Sequence, residues 1–252
     1  IAGCAGFVVG SLFGGVIAQG YGYRAAYFVT IPMALASIIC LLVLNEPKIH
    51  KSEEKAPIKD HIVNTFKSVL GRRELFALVA MIILLIILDK LLFEFSQLWY
   101  IALAMPAVIY GIANALVAGS VGIGGTIARF SGRHRTAVIL WILLGAAVSS
   151  VCLVFVKNIT AVIISQVLIG VAAVALETMF SHELHDQLSS RVRAGASSAL
   201  CTVARFFAIP LALIFGFISD YSVFTAGWVL FAVVAGITII FLFFHKKAEI
   251  TV

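Results

Sequence analysis

Five ionisable side chains stand inside long apolar runs: Asp89, Lys90, Glu94, Glu177 and Arg205. An ionisable group in hydrocarbon costs at least ~2.5 to 3.5 kcal/mol on insertion scales, so those that persist usually face a cavity or a partner. The chemistry open to them there is to take up and release protons, hold a charged ligand or lock two helices together. Leu75 to Leu88 is uninterrupted apolar sequence, ~21 Å of helix at about 1.5 Å per residue, which puts Asp89, Lys90 and Glu94 in the outer half of that segment. Lys90 and Glu94 are four apart and can pair, while Asp89, Ser96, Gln97 and Tyr100 recur near an adjacent face; one broad polar stripe results. Arg205 lies ~16 Å along its segment from Ala194, near the midplane, where snorkelling is least effective. It needs a partner, and Glu177, backbone carbonyls or an acidic residue elsewhere would serve.

Other constellations carry less. His182-Glu183-Leu184-His185-Asp186 has two histidines three apart, not the HExxH spacing of a zinc hydrolase, and reads as an amphipathic turn between helices. Cys4, Cys40, Cys152 and Cys201 fall inside apolar runs without paired spacing and read as small buried hydrophobes. Asn114 and Ser120 suit interhelical hydrogen bonds. A polytopic enzyme should gather His, Asp or Glu at a membrane surface, and no such cluster is visible, so we expect no catalytic residue, no metal and no cofactor.

The elements that position these groups follow from composition. Hydrophobic residues make up 62% of the 252 and charged residues 12%, with a mean hydropathy of +1.11. A soluble domain is roughly half apolar and a quarter charged. Only helices and closed barrels satisfy their backbone in lipid, and the long apolar runs predict an all-α polytopic membrane protein. Eight segments can be marked, at about 1–20, 26–44, 75–101, 106–128, 137–156, 160–181, 194–219 and 224–244. A polar stretch from 45 to 74, with Pro47 and Pro57 opposing continuous helix, divides two helices from six.

The net charge of +6 could suggest a nucleic-acid partner, but the basic residues follow topology. Lys48, Lys51, Lys55, Lys59, Lys67, Arg72 and Arg73 lie in the linker, Arg129, Arg133 and Arg135 in one connection, Arg191 and Arg193 in another, and Lys246 and Lys247 in the tail. Strict alternation of eight helices puts all of them on one side, against Arg24 and Lys157 on the other. The positive-inside rule makes that basic side cytoplasmic. The divisions are then 1–44 for the first two helices, 45–74 for a cytoplasmic linker, 75–245 for a six-helix bundle and 246–252 for a cytoplasmic tail.

Three local patterns add a resemblance. Gly6, Gly10, Gly14 and Gly15 form a glycine ladder in the first segment, followed by Tyr21-Gly22-Tyr23-Arg24 and Tyr27-Phe28. The ladder resembles the GxxxGPxxGG fifth-helix signature of drug/proton antiporters of the major facilitator superfamily, with Ser11 where that signature has Pro. Glycines at this spacing let another backbone approach closely. Gly125 to Arg135, with Arg129, Gly132 and Arg133, resembles the degenerate second copy of the family's GxLaDrxGrrr loop, and Arg129 stands at its usual acidic position. Arg191-Val192-Arg193-Ala194-Gly195, with Pro210, Gly216 and Asp220 further on, is similar to the opening of the family's eleventh helix.

The resemblance implies helices five through twelve of a two-bundle secondary transporter, resident in a plasma membrane, or the inner membrane if bacterial. Ile1 already lies in an apolar run, without an initiator Met or a signal peptide's charged opening, so we expect helices one through four to be partners missing from this chain, which should not transport alone. The family's seventh helix lines the central cavity, which would make Asp89 or Glu94 the proton-titrating carboxylate and Gln97 and Tyr100 substrate contacts. The activity implied is export of a small molecule against protons. Uptake symport or facilitation, and a non-transporting receptor or scaffold on the same fold, are the other readings.

Overall fold

A computed structural model describes residues 2–44, 75–130, 135–188 and 190–250. The linker at 45–74, Gly132 and Arg133 lie outside these. Among the described residues the chain is all-α, with eight helices: α1 (Ala2–Tyr21), α2 (Tyr23–Val43), α3 (Phe76–Ala102), α4 (Ala107–Phe130), α5 (Arg135–Phe155), α6 (Ile159–Asp186), α7 (Ser190–Tyr221) and α8 (Val223–Ile250). Seven are long and apolar enough to cross a membrane; in α1 the apolar stretch Ala5–Tyr21 is shorter.

Local chemistry explains the breaks. Gly22 joins α1 to α2 at φ 83°, a left-handed conformation that glycine adopts without a Cβ penalty. Asn158 starts α6 by accepting a hydrogen bond from the Ala161 amide at 3.2 Å, satisfying one of the orphan donors of the first turn. Three boundaries differ from the sequence expectation. His182 to Asp186 form the last turns of α6 rather than a turn between helices, the Lys246-Lys247 stretch continues α8, and α7 begins at Ser190 rather than near 194. In the first case His182 accounts for the extension, because its Nδ1 lies 3.1 Å from Asp186 at i,i+4 spacing.

The buried apolar cluster draws its members from Leu75 to Phe241, that is, from α3 to α8 and the turns between them. At its centre α3 packs on α6, α7 and α8, while α6 also packs on α4 and α5. Leu78, Leu85, Leu92, Trp99 and Tyr100 of α3 are all buried. Because lipid is as apolar as leucine, packing and hydrogen bonds rather than hydrophobicity must register such helices. Here Gln166 of α6 supplies the register: its Oε1 accepts the Tyr100 hydroxyl at 2.5 Å and its Nε2 donates to the Ser96 carbonyl at 3.2 Å. Trp99 Nε1 donates to the Leu153 carbonyl at 3.1 Å and ties α3 to α5.

Tyr100→Phe would leave Gln166 with an unsatisfied buried acceptor, at a cost of ~1 to 2 kcal/mol. The expected readout is a lower melting temperature of the detergent-purified protein. Ile164→Val, at an exposed position of the bundle, should leave it unchanged.

The first two helices sit differently. α1 packs against α4, and α2, in which no residue is buried, packs against α1. Gly15 and Gly111 make the α1–α4 crossing possible. A Cβ on Gly111 would lie 2.5 Å from the Ser11 carbonyl oxygen and 3.0 Å from Gly15 Cα, and one on Gly15 would lie 2.9 Å from Gly111 Cα. Side chains have no room there. Gly6, Gly10 and Gly14 have nothing within 4 Å of a Cβ position, so of the ladder only Gly15 is in close helix contact.

Candidate functional site

Where α1 and α2 meet α3 and α4, above the Gly15–Gly111 crossing, the helices diverge into a cleft of about 270 Å³. Spacing along each helix decides what it presents. From α2 come Tyr23, Tyr27 and Thr30, at i, i+4 and i+7; from α4 come Tyr110 and Asn114, at i and i+4; α1 adds Ser11 and Gly14, and α3 adds Gln97. The polar lining is hydroxyl and amide, with no charged side chain among it. Such a surface offers hydrogen bonds in both directions and three aromatic faces.

The structure splits the polar stripe of α3 in two. Gln97 is exposed and lines the cleft, on the same helix side as Lys90 and Glu94. Tyr100 faces the other way. It is fully buried and bonded to Gln166, so it does not line the cleft; its ring instead backs Tyr110, with centroids 5.5 Å apart. Sequence reasoning placed Tyr100 with Gln97 because one hundred degrees of rotation per residue leaves both near one broad face, and only the packing of α6 separates them.

Asp89 is the middle residue of α3. Along the α3–α6 seam the pairing runs antiparallel: Ser96 meets Gln166, and Leu92 lies near Gly170. That register sets Asp89 opposite Ala173, and Glu177, one turn further along α6, is within electrostatic reach of Asp89, with Lys90 beside it. Both carboxylates are half-buried. Neither makes a hydrogen bond or ion pair among the described residues.

The intramembrane ion pairs anticipated from sequence do not form. Lys90 and Glu94 make no salt bridge despite their i,i+4 spacing, and Glu94 is exposed. Arg205 projects from the exposed face of α7 alongside Phe206 and Ile209, without an ion-pair partner among the described residues and apart from Glu177. Its helix packs mainly on α3 and α8, and Arg205 lies on an exposed face among the described residues.

At the basic end of the bundle the loop motif is partly described. Arg135 Nη2 donates to the Met179 carbonyl at 2.9 Å and to Glu183 Oε2 at 3.0 Å, fastening the start of α5 to α6. Gly125 and Arg129 occupy the last turns of α4. The metal reading of the histidine turn has no counterpart here: among the described residues no group of three potential ligands converges.

Sequence reasoning singled out Gln97 and Asn114 of this lining, but not the tyrosines as a cleft. A signal was present. Tyr23, Tyr27 and Thr30 fall on one stripe of a largely apolar helix whose other polar side chains include Arg24 and Ser37.

Two comparisons bear on identity. The family model described as Major Facilitator Superfamily matches residues 1–137, a span that includes all four helices lining the cleft. No curated protein matches the chain.

Proposed function

We propose proton-coupled export of a small molecule as the activity of this chain, which belongs to the Major Facilitator Superfamily and is therefore part of a secondary transporter. Alternating access needs a site between two groups of helices that move relative to one another, and the cleft between α1–α2 and α3–α4 has that position. Substrate would be held by Gln97, Asn114, Tyr27 and Tyr110. Protons would be carried by Asp89, assisted by Glu177, with Glu94 as the shallower alternative. Helices preceding α1 would complete the pathway, and the basic connections would face the cytoplasm.

The observation that carries this reading is Asp89 itself. A carboxylate at the centre of a spanning helix, without an ion pair, costs free energy that a purely structural residue would not retain. Coupling requires that proton and substrate each bias the same conformational equilibrium, and a carboxylate on α3, the helix that also brings Gln97 to the cleft, would link the two. The resemblance of α1 to antiporter signatures supports the outward direction, whereas Ser11 in place of proline favours uptake symport as the second reading.

The experiment is reconstitution of the transporter in proteoliposomes, with small amphipathic dyes as substrates and an internal pH indicator. Export predicts dye accumulation against its gradient when the proton gradient runs the opposite way, and collapse of that accumulation with an uncoupler. Dye moving with the proton gradient would establish symport instead. Gln97→Ala and Asn114→Ala should each raise KM about tenfold with kcat little changed, since they remove hydrogen bonds made alike in both conformations. Unchanged KM in both variants would remove the cleft from the pathway.

A further inference from the structure

A second cavity, of about 480 Å³, opens at the basic end of the bundle between the end of α4, the start of α5 and the last turns of α6. Arg129, Arg135, Thr178 and His182 line it, with the Met179 carbonyl in its wall. We propose that this cavity binds a phosphate group carried by an anionic ligand.

A count of donors leads there. Arg135 commits Nη2 to Met179 and Glu183, which leaves the Nε and Nη1 hydrogens of its guanidinium. His182 holds Asp186 through Nδ1, and its Nε2 adds a second donor in the imidazolium form. Thr178 is exposed and keeps its hydroxyl. Arg129 is exposed and has no ion-pair or hydrogen-bond partner among the described residues, so its whole guanidinium is available. Among the described residues, Glu183 and Asp186 are already engaged by Arg135 and His182, and Arg129 has no carboxylate partner.

Two guanidinium forks, an imidazole and a hydroxyl around one space match a tetrahedral oxyanion with several acceptors better than a halide or a single carboxylate. Gly125 and Ala128 form the α4 wall and leave the room such a group needs. The cavity lies at the helix ends on the face that the positive-inside rule assigns to the cytoplasm, where anionic lipid is enriched. Two sources therefore share the chemistry: an anionic lipid headgroup, or a soluble phosphate.

The test uses the purified chain in phosphatidylcholine nanodiscs. One arm titrates inorganic phosphate by calorimetry; the other dopes the discs with phosphatidylglycerol and counts retained lipid by native mass spectrometry. We expect binding in at least one arm, weakened about tenfold or more by Arg129→Gln, largely kept by Arg129→Lys, and unaffected by Lys157→Gln at the opposite end of the bundle. Retention of phosphatidylglycerol without phosphate binding identifies the headgroup, and calorimetric binding of phosphate identifies a soluble ligand; either outcome supports the site. His182→Gln provides a second lesion if Arg129→Gln does not fold. Binding unchanged in both Arg129→Gln and His182→Gln, or no binding by the unaltered chain in either arm, overturns the proposal.

Discussion

Replacing Gly111 by alanine is expected to cut transport at least tenfold, and replacing it by leucine to abolish it, while alanine at Gly119 in the same helix leaves transport near its starting value. A Cβ at 111 would stand 2.5 Å from the Ser11 carbonyl oxygen and 3.0 Å from Gly15 Cα. Both are backbone atoms, so neither can rotate away as a side-chain tip could. Helices α1 and α4 must separate, and overpacking of this kind costs ~1 to 3 kcal/mol. Gly119 meets nothing within 4 Å, so the added methyl there carries the same loss of backbone freedom without the clash.

The cost should fall on the conformational equilibrium rather than on folding. Every residue of the buried apolar cluster lies between Leu75 and Phe241, outside α1, so the bundle can keep its melting temperature while the α1–α4 crossing loosens. A cysteine pair at Ser11 and Ala107 measures this directly. Its cross-linking yield should fall with Gly111→Ala and stay constant with Gly119→Ala. Equal yields in the two would show that the crossing tolerates the methyl.

The all-α architecture and nearly every helix boundary were legible because lipid leaves so few alternatives: about 20 apolar residues must become a helix, and basic connections sort to one side. Boundaries slipped most where polar sequence continued a helix, at His182 to Asp186, at Ser190 to Arg193 and at Lys246. The candidate site was harder to read. Gln97 and Asn114 could be picked out as polar residues in apolar runs, but nothing in a single helix says which neighbour its polar face meets. Tyr100 and Gln97 are three residues apart and look equivalent until α6, through Gln166, claims one of them. The same limit explains Lys90 and Glu94. Helical spacing permits their contact, but an exposed pair gains little from it and loses side-chain entropy, so spacing alone does not make a salt bridge. Gly111 was overlooked for a related reason: it belongs to a run of small residues in α4, and only the approach of Ser11 and Gly15 distinguishes it from Gly119.

Asp89→Asn is expected to abolish accumulation of substrate against its gradient while leaving exchange down a gradient intact. Asparagine has the shape of the protonated acid and cannot release a proton, so it mimics one of the two states between which a coupled transporter must cycle. Substrate can still bind and the helices can still move, but nothing ties the movement to a proton. Because Asp89 makes no hydrogen bond or ion pair among the described residues, the change removes no structural contact, and protein yield and melting temperature should hold or rise. Glu177 sharpens the argument. It lies within electrostatic reach of Asp89 across the α3–α6 seam. If the pair shares one proton, Glu177→Gln alone should shift the pH dependence of transport without ending coupling, and the double variant should behave as Asp89→Asn does. Glu94→Gln, at an exposed position a turn further out, should change coupling least. Full coupling retained in Asp89→Asn, with Glu94→Gln uncoupled instead, would move the proton site to the outer carboxylate.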